Sequence, residues 1–241
     1  MASSAADLTS RILRHERLLV AGSVVMLTAL AWTYLVRSSM PMGMTQPPLT
    51  ALIAMWWLMM LGMMLPSATP AILLYSRVRQ MRGGAAPIAQ PWVFLAGYLA
   101  VWLLFSIAAA LVQSRVADSS MALRGDATQS AVLIAAGAYQ LSPLKTACLN
   151  QCRSPGQFIS RYWRPGWNGA VRLGLLHGAY CVLCCWMLMA LLFVGGVMNL
   201  VWVVALAVLV AAEKLLPARA AIPKISGAVL IAWGLAKALG A

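Results

Sequence analysis

The sequence predicts an all-α fold, a polytopic helical bundle in a membrane. Of the 241 residues, 62% are hydrophobic and 10% are charged, whereas a soluble domain carries about 25% charged residues. Apolar runs near the ~20 residues that a helix needs to cross a bilayer recur along the chain. A β-barrel would instead alternate apolar and polar residues in each span. We therefore expect a single integral membrane domain, residues 1–241.

Seven apolar runs are predicted to span the membrane, with six spans as the alternative. They cover approximately residues 18–36, 49–75, 92–112, 129–149, 173–194, 198–216 and 222–239. Ser142 and Pro143 interrupt the fourth run, because proline lacks the amide hydrogen that a continuous helix needs. Residues 150–170, between the fourth and fifth runs, are polar and aromatic, which is typical of a segment at the membrane interface.

The positions of the basic residues predict an orientation. No small-residue cleavage pattern follows the first run, so we expect a retained span and not a removable signal peptide. A cytoplasmic N-terminus leaves only Arg37, Arg115, Arg124 and Lys237 of the 18 Lys and Arg residues outside. The positive-inside rule favours this arrangement, in a bacterial inner membrane with a periplasmic C-terminus. The net charge of +13 does not indicate nucleic-acid binding, because the cations lie in separate loops.

A Cys-rich stretch, HGAYCVLCCWMLM, lies in the fifth run. Helical spacings of three and four residues put His177, Cys181, Cys184 and Cys185 broadly on one face. A single buried Cys is commonly just a small apolar residue, but three within five positions indicate metal ligation. One face cannot surround an ion, so another helix must complete the site, with His177 as an optional ligand. Sulfur favours Cu(I), with Zn(II) as the alternative.

A second motif, CLNQC, supplies Cys148 and Cys152, one helical turn apart. The flanking cations, Lys145 and Arg153, are expected to lower the thiol pKa and to offset the charge of a two-thiolate Cu(I) complex. The two motifs contain all five Cys residues of the chain, which favours a shared site. In a reducing cytoplasm, metal or redox roles are commoner than lasting disulfides.

Methionines form two further groups. Met40, Met42 and Met44 lie in the predicted outer loop, where their thioethers are expected to capture Cu(I) without deprotonation. The second run contains methionines at helical spacing, which predicts a thioether path through the bilayer. This ladder comprises Met59, Met60, Met63 and Met64. Ordinary packing by flexible side chains is the alternative.

Polar residues within the apolar runs are expected to surround the ligands. Glu213 is either a functional intramembrane carboxylate or the partner of a nearby cation such as Lys214. Tyr139 and Gln140 are expected to line the site or to form hydrogen bonds between helices.

Several motifs together resemble a bacterial domain-of-unknown-function family of predicted metal-binding integral membrane proteins. They are YQLSPLKTACLNQCRSP from Tyr139, MMLPS from Met63, CVLCCWMLM from Cys181, and Glu213-Lys214. The resemblance covers nearly all the runs beyond the first. It implies that all five Cys residues, and Met59, Met60, Met63 and Met64, occupy the positions of the family's Cys-rich and Met-rich motifs.

Three functions are open at this point. The leading hypothesis is a membrane protein that binds Cu(I) for transport or handling. The outer methionines would capture the ion, and Cys181, Cys184 and Cys185 would form a central site. Cys148 and Cys152 would then receive the ion at the inner face. A metal chaperone or a second copy of the chain is a possible partner. One alternative is a thiol oxidoreductase in which the two Cys clusters exchange electrons. The other is a structural or assembly subunit with inert Cys and Met residues.

Overall fold

The computed structural model describes residues 2–38, 47–81, 89–116, 123, 125–216 and 221–240, with the backbone alone for 2–17, 38 and 116. These ranges are helical and contain no strand, which confirms the all-α class. The helices are α1 (Ala2–Ser38), α2 (Leu49–Met81), α3 (Gln90–Val116), α4 (Asp126–Gln140), α5 (Pro143–Arg153), α6 (Pro155–Tyr162), α7 (Gly166–Ala190), α8 (Leu192–Gly195), α9 (Leu200–Leu215) and α10 (Ile222–Ala238). The predicted capture residues Met40, Met42 and Met44, and Arg124, lie outside the described residues.

Four segments in the described part of the chain are long and apolar enough to cross a membrane. They are Leu18–Arg37, Leu49–Met81, Gln90–Arg115 and Gly166–Gly195. They coincide with the first, second, third and fifth of the predicted spans, which agrees with a membrane protein.

The count of seven spans is not supported, because the other three predicted spans fall on shorter helices. α4, α9 and α10 have 15, 16 and 17 residues, fewer than the ~20 of a typical span. The predicted fourth span, 129–149, is divided between α4 and α5. Ser142 caps α5 by accepting a hydrogen bond from the Lys145 amide. Pro143 then takes the first position of α5, where the amide hydrogen that proline lacks would have no partner within the helix. Its presence also prevents α4 from continuing.

The predicted interfacial segment, residues 150–170, is largely helical. It contains the end of α5, all of α6 and the start of α7, which begins at Gly166, before the predicted start at Leu173. Phe158 and Ile159 of α6 are buried. α6 packs against both α2 and α5 and so links these two helices.

The closest approach between α3 and α7 fixes the position of the Cys-rich stretch of α7 along α3. A Cβ atom at Gly174 of α7 would lie 2.1 Å from the carbonyl oxygen of Phe94 in α3. Only glycine therefore permits this contact between the two backbones. One turn after Phe94 on α3 and two turns after Gly174 on α7, the Tyr98 hydroxyl lies 3.1 Å from the Cys181 Sγ.

Candidate metal centre

Sulfur atoms from three helices lie close together inside the bundle. The Cys152 Sγ of α5 is 3.9 Å from the Cys184 Sγ of α7, and the Cys185 Sγ is 4.0 Å from the Met64 Sδ of α2. A metal–sulfur bond of about 2.3 Å places two sulfurs on one ion roughly 3.8–4.6 Å apart, depending on geometry. Both separations fall in that range. We call Cys152, Cys181, Cys184, Cys185 and Met64 the sulfur cluster.

A lysine from α9 enters the sulfur cluster. The Lys214 Nζ donates to the Cys181 Sγ at 2.9 Å, and it lies 3.6 Å from the Met64 Sδ and 3.4 Å from the Ser67 Oγ. The Tyr98 hydroxyl is also 3.1 Å from the Cys181 Sγ. Sequence reasoning considered Lys214 only as a partner for Glu213, and it missed Tyr98 and Ser67. A cation inside the run 198–216 was a usable signal for Lys214, whereas Tyr98 has no such local signal.

Glu213 forms a separate polar network next to the sulfur cluster. Its Oε2 accepts from the Lys145 Nζ at 2.6 Å, and both side chains are almost fully buried. The Gln140 amide nitrogen donates to the Glu213 Oε1 at 2.7 Å and to the Ser226 hydroxyl at 2.9 Å. The Arg153 Nε donates to the Glu213 carbonyl oxygen at 2.6 Å. Two cations expected beside the thiols are therefore held by Glu213.

His177 is buried among aromatic rings, one turn before Cys181. Its ring centroid lies 5.3 Å from that of Phe158, 5.7 Å from that of Tyr98 and 5.9 Å from that of Phe94. The His177 Nδ1 has no hydrogen-bond partner among the described residues. The ring therefore lies at the margin of the sulfur cluster, with aromatic neighbours.

The other predicted site residues occupy positions around the sulfur cluster. Cys148 is buried on α5, one turn before Cys152. The ladder methionines Met59, Met60, Met63 and Met64 are all buried, and the Met64 Sδ lies 4.0 Å from the Cys185 Sγ. The Tyr139 hydroxyl donates to the Leu183 carbonyl oxygen and so joins α4 to α7.

The local electrostatics favour a protonated Cys152. Hydrogen bonds with Cys181 and Cys184, followed by burial, raise the pKa of the Cys152 thiol. A thiol must lose its proton to bind a metal ion as a thiolate. Metal binding at Cys152 would therefore release a proton from the α5 side of the sulfur cluster.

A model of the PpoB2 family, described as a copper chaperone, matches residues 53–237. The chain belongs to this copper chaperone family. The matched region contains all five Cys residues, the methionines of α2, and Lys214. Neither a curated protein nor a solved structure shows significant similarity to the chain. Membership of the PpoB2 family agrees with the copper handling that the sequence predicts.

The metal-ligating atoms that approach one another in this protein are sulfur atoms. Within the described ranges, no group of three or more His, Cys, Asp or Glu side chains is arranged to hold a metal ion. The closest arrangement is instead the thiol pair of Cys152 and Cys184 with a thioether nearby, a donor set that suits Cu(I).

Proposed function

We propose that the protein is a membrane copper chaperone that binds Cu(I) in the sulfur cluster. The observation that carries the proposal is the 3.9 Å separation between the Cys152 and Cys184 sulfurs, which come from different helices. Cu(I) prefers thiolate and thioether ligands. The Met64 thioether, 4.0 Å from the Cys185 sulfur, offers a further ligand from α2.

The methionine ladder provides an approach to the sulfur cluster. Met60 and Met64 are one turn apart on α2 and are fully buried, so Cu(I) can pass from a neutral thioether to the thiolates without meeting water. Thiolates bind the ion more strongly because they are charged. We place Met40, Met42 and Met44 at the entrance, and Cys148 and Cys152 at the point of delivery in the bacterial inner membrane.

Anaerobic Cu(I) titration of the purified protein against a chromophoric Cu(I) chelator tests this function. We expect C152S and C184S each to weaken binding by at least about tenfold, because even changes outside the ligand shell cost metal sites about 10- to 100-fold. M64L should weaken binding, whereas M26L, at a methionine that is 58% exposed, should not. A wild-type protein that takes up no Cu(I), or unchanged binding in C184S, contradicts the proposal.

A thiol oxidoreductase is the second candidate, favoured by the same pair of free thiols on two helices. The Cys152 and Cys184 thiols would form one disulfide and pass two electrons and two protons to a quinone, giving a quinol. This function predicts a disulfide that appears on addition of quinone and disappears on addition of quinol. The copper function predicts instead that bound Cu(I) protects both thiols from alkylation, which mass spectrometry detects.

A further inference from the structure

Lys214 places a positive charge inside the sulfur cluster. Lys214 is 6% exposed, and its Nζ lies 2.9 Å from the Cys181 Sγ and 3.6 Å from the Met64 Sδ. The neighbouring carboxylate does not neutralise it, because Glu213 pairs with Lys145. The ammonium group is therefore part of the charge balance of any ion bound there.

We infer that Lys214 makes the sulfur cluster selective for a monovalent soft cation over a divalent soft cation. This inference rests on the proposed Cu(I) function and adds a determinant of specificity to it. A monovalent ion with two thiolates carries one negative charge, which Lys214 cancels. A divalent ion with the same two thiolates is neutral, so Lys214 would leave an uncompensated positive charge in the bundle interior. Burial of an uncompensated charge is unfavourable.

The position of the Lys214 ammonium group also favours a monovalent cation over a divalent cation. It contacts both the Cys181 and the Met64 sulfurs, so it competes with a bound ion for these two ligands. Zn(II) usually requires four ligands in a tetrahedral arrangement. A monovalent soft ion needs fewer sulfur ligands, and one pair of thiolates such as Cys152 and Cys184 suffices for it.

Ag(I) and Cd(II) separate charge from softness, because both ions prefer sulfur and they differ by one unit of charge. We expect the wild-type protein, purified without metal and kept anaerobic, to take up stoichiometric Ag(I) and to exclude Cd(II) in equilibrium dialysis. Stoichiometric Cd(II) uptake by the wild-type protein overturns the inference, whatever the variants do.

Substitution of Lys214 then tests the residue itself. We expect K214Q and K214L to lower the ratio of Cu(I) to Cd(II) affinity by at least about tenfold, since a unit charge a few ångströms away has a large effect in a protein interior. K214R keeps the charge and should keep the ratio. K224Q removes an exposed lysine of α10 and is the matched control. Size-exclusion chromatography monitors folding, and the apolar K214L side chain suits a buried position.

The outcomes distinguish the two proposals. Cu(I) binding with an unchanged Cu(I) to Cd(II) ratio in K214Q and K214L overturns the role of Lys214 and leaves the copper function intact. A wild-type protein that binds neither Cu(I) nor Ag(I) overturns the copper function itself. A ratio that falls equally in K224Q also overturns the inference, because the effect would then belong to total charge.

Discussion

Glu213 and Lys214 are consecutive residues of α9 that serve different parts of the bundle. Successive side chains on a helix point about 100° apart. Glu213 faces Gln140 and Lys145 on α4 and α5, while Lys214 faces Cys181 of α7. α9 therefore connects a buried ion pair to the sulfur cluster.

The buried ion pair leads to a prediction about stability. E213Q removes the charge that neutralises Lys145 at 2.6 Å, and it should lower the free energy of unfolding by about 3–5 kcal/mol because an unpaired charge is left buried. D126N breaks the pair with Lys237, in which the aspartate side chain is 78% exposed. This control should cost less than about 1 kcal/mol.

Thermal unfolding in detergent compares these variants. The double variant K145M/E213Q should recover part of the loss, because neither residue then carries a charge. If E213Q and D126N have the same free energy of unfolding, Glu213 does not neutralise a buried charge on Lys145.

At the scale of helices, the contact between α3 and α7 positions the sulfur cluster. G174A places a methyl group 2.1 Å from the Phe94 carbonyl oxygen and forces the helices apart. Overpacking of this kind typically costs about 1–3 kcal/mol. The shift should also weaken Cu(I) binding, because Tyr98 would move away from Cys181. Thermal unfolding and Cu(I) titration measure the two effects.

Gly22 of α1 offers a matched control for this substitution. A Cβ atom there meets nothing within 4 Å, and alanine favours a helix over glycine. G22A should therefore leave stability unchanged or raise it. Equal stability of G174A and G22A would show that α3 and α7 tolerate a wider separation.

The sequence predicted individual helices better than their contacts. Length and hydrophobicity are local properties, so the runs 18–36, 49–75 and 92–112 match spanning helices. The polar residues at the start of α7 led us to place its first residue too late in the chain. The predicted interruption at Ser142 and Pro143 is confirmed, because α5 begins there with a capped end. Helix bounds depend on such caps as well as on composition.

The same limit applies to the site. Spacing alone grouped Cys181, Cys184 and Cys185 on one face. The occurrence of all five Cys residues in two motifs predicted a shared site. Which sulfurs meet, as Cys152 and Cys184 do, and the approach of Lys214 to Cys181 depend on how α5, α7 and α9 pack. Residues in these contacts are separated by more than 30 positions, and no local pattern encodes that distance.

On the scale of the whole molecule, the three Cys residues of α7 are buried, whereas Cys152 of α5 is only partly buried. Cys181, Cys184 and Cys185 are each at most 2% exposed, so under our proposal an ion reaches them from neighbouring sulfur ligands of the protein. The route that we propose is the ladder of α2, which ends at Met64 beside Cys185. Binding at buried thiols favours an ion that has already lost its water ligands, as an ion carried by a chaperone has.

X-ray absorption at the copper edge tests the central claim most directly. Wild-type protein loaded anaerobically with Cu(I) should show a ligand shell of sulfur alone, because the described neighbours of His177 are aromatic rings. The double variant C152S/C184S should lose that shell. A shell of nitrogen or oxygen in the wild-type protein, or an unchanged sulfur shell in the double variant, would contradict Cu(I) binding in the sulfur cluster.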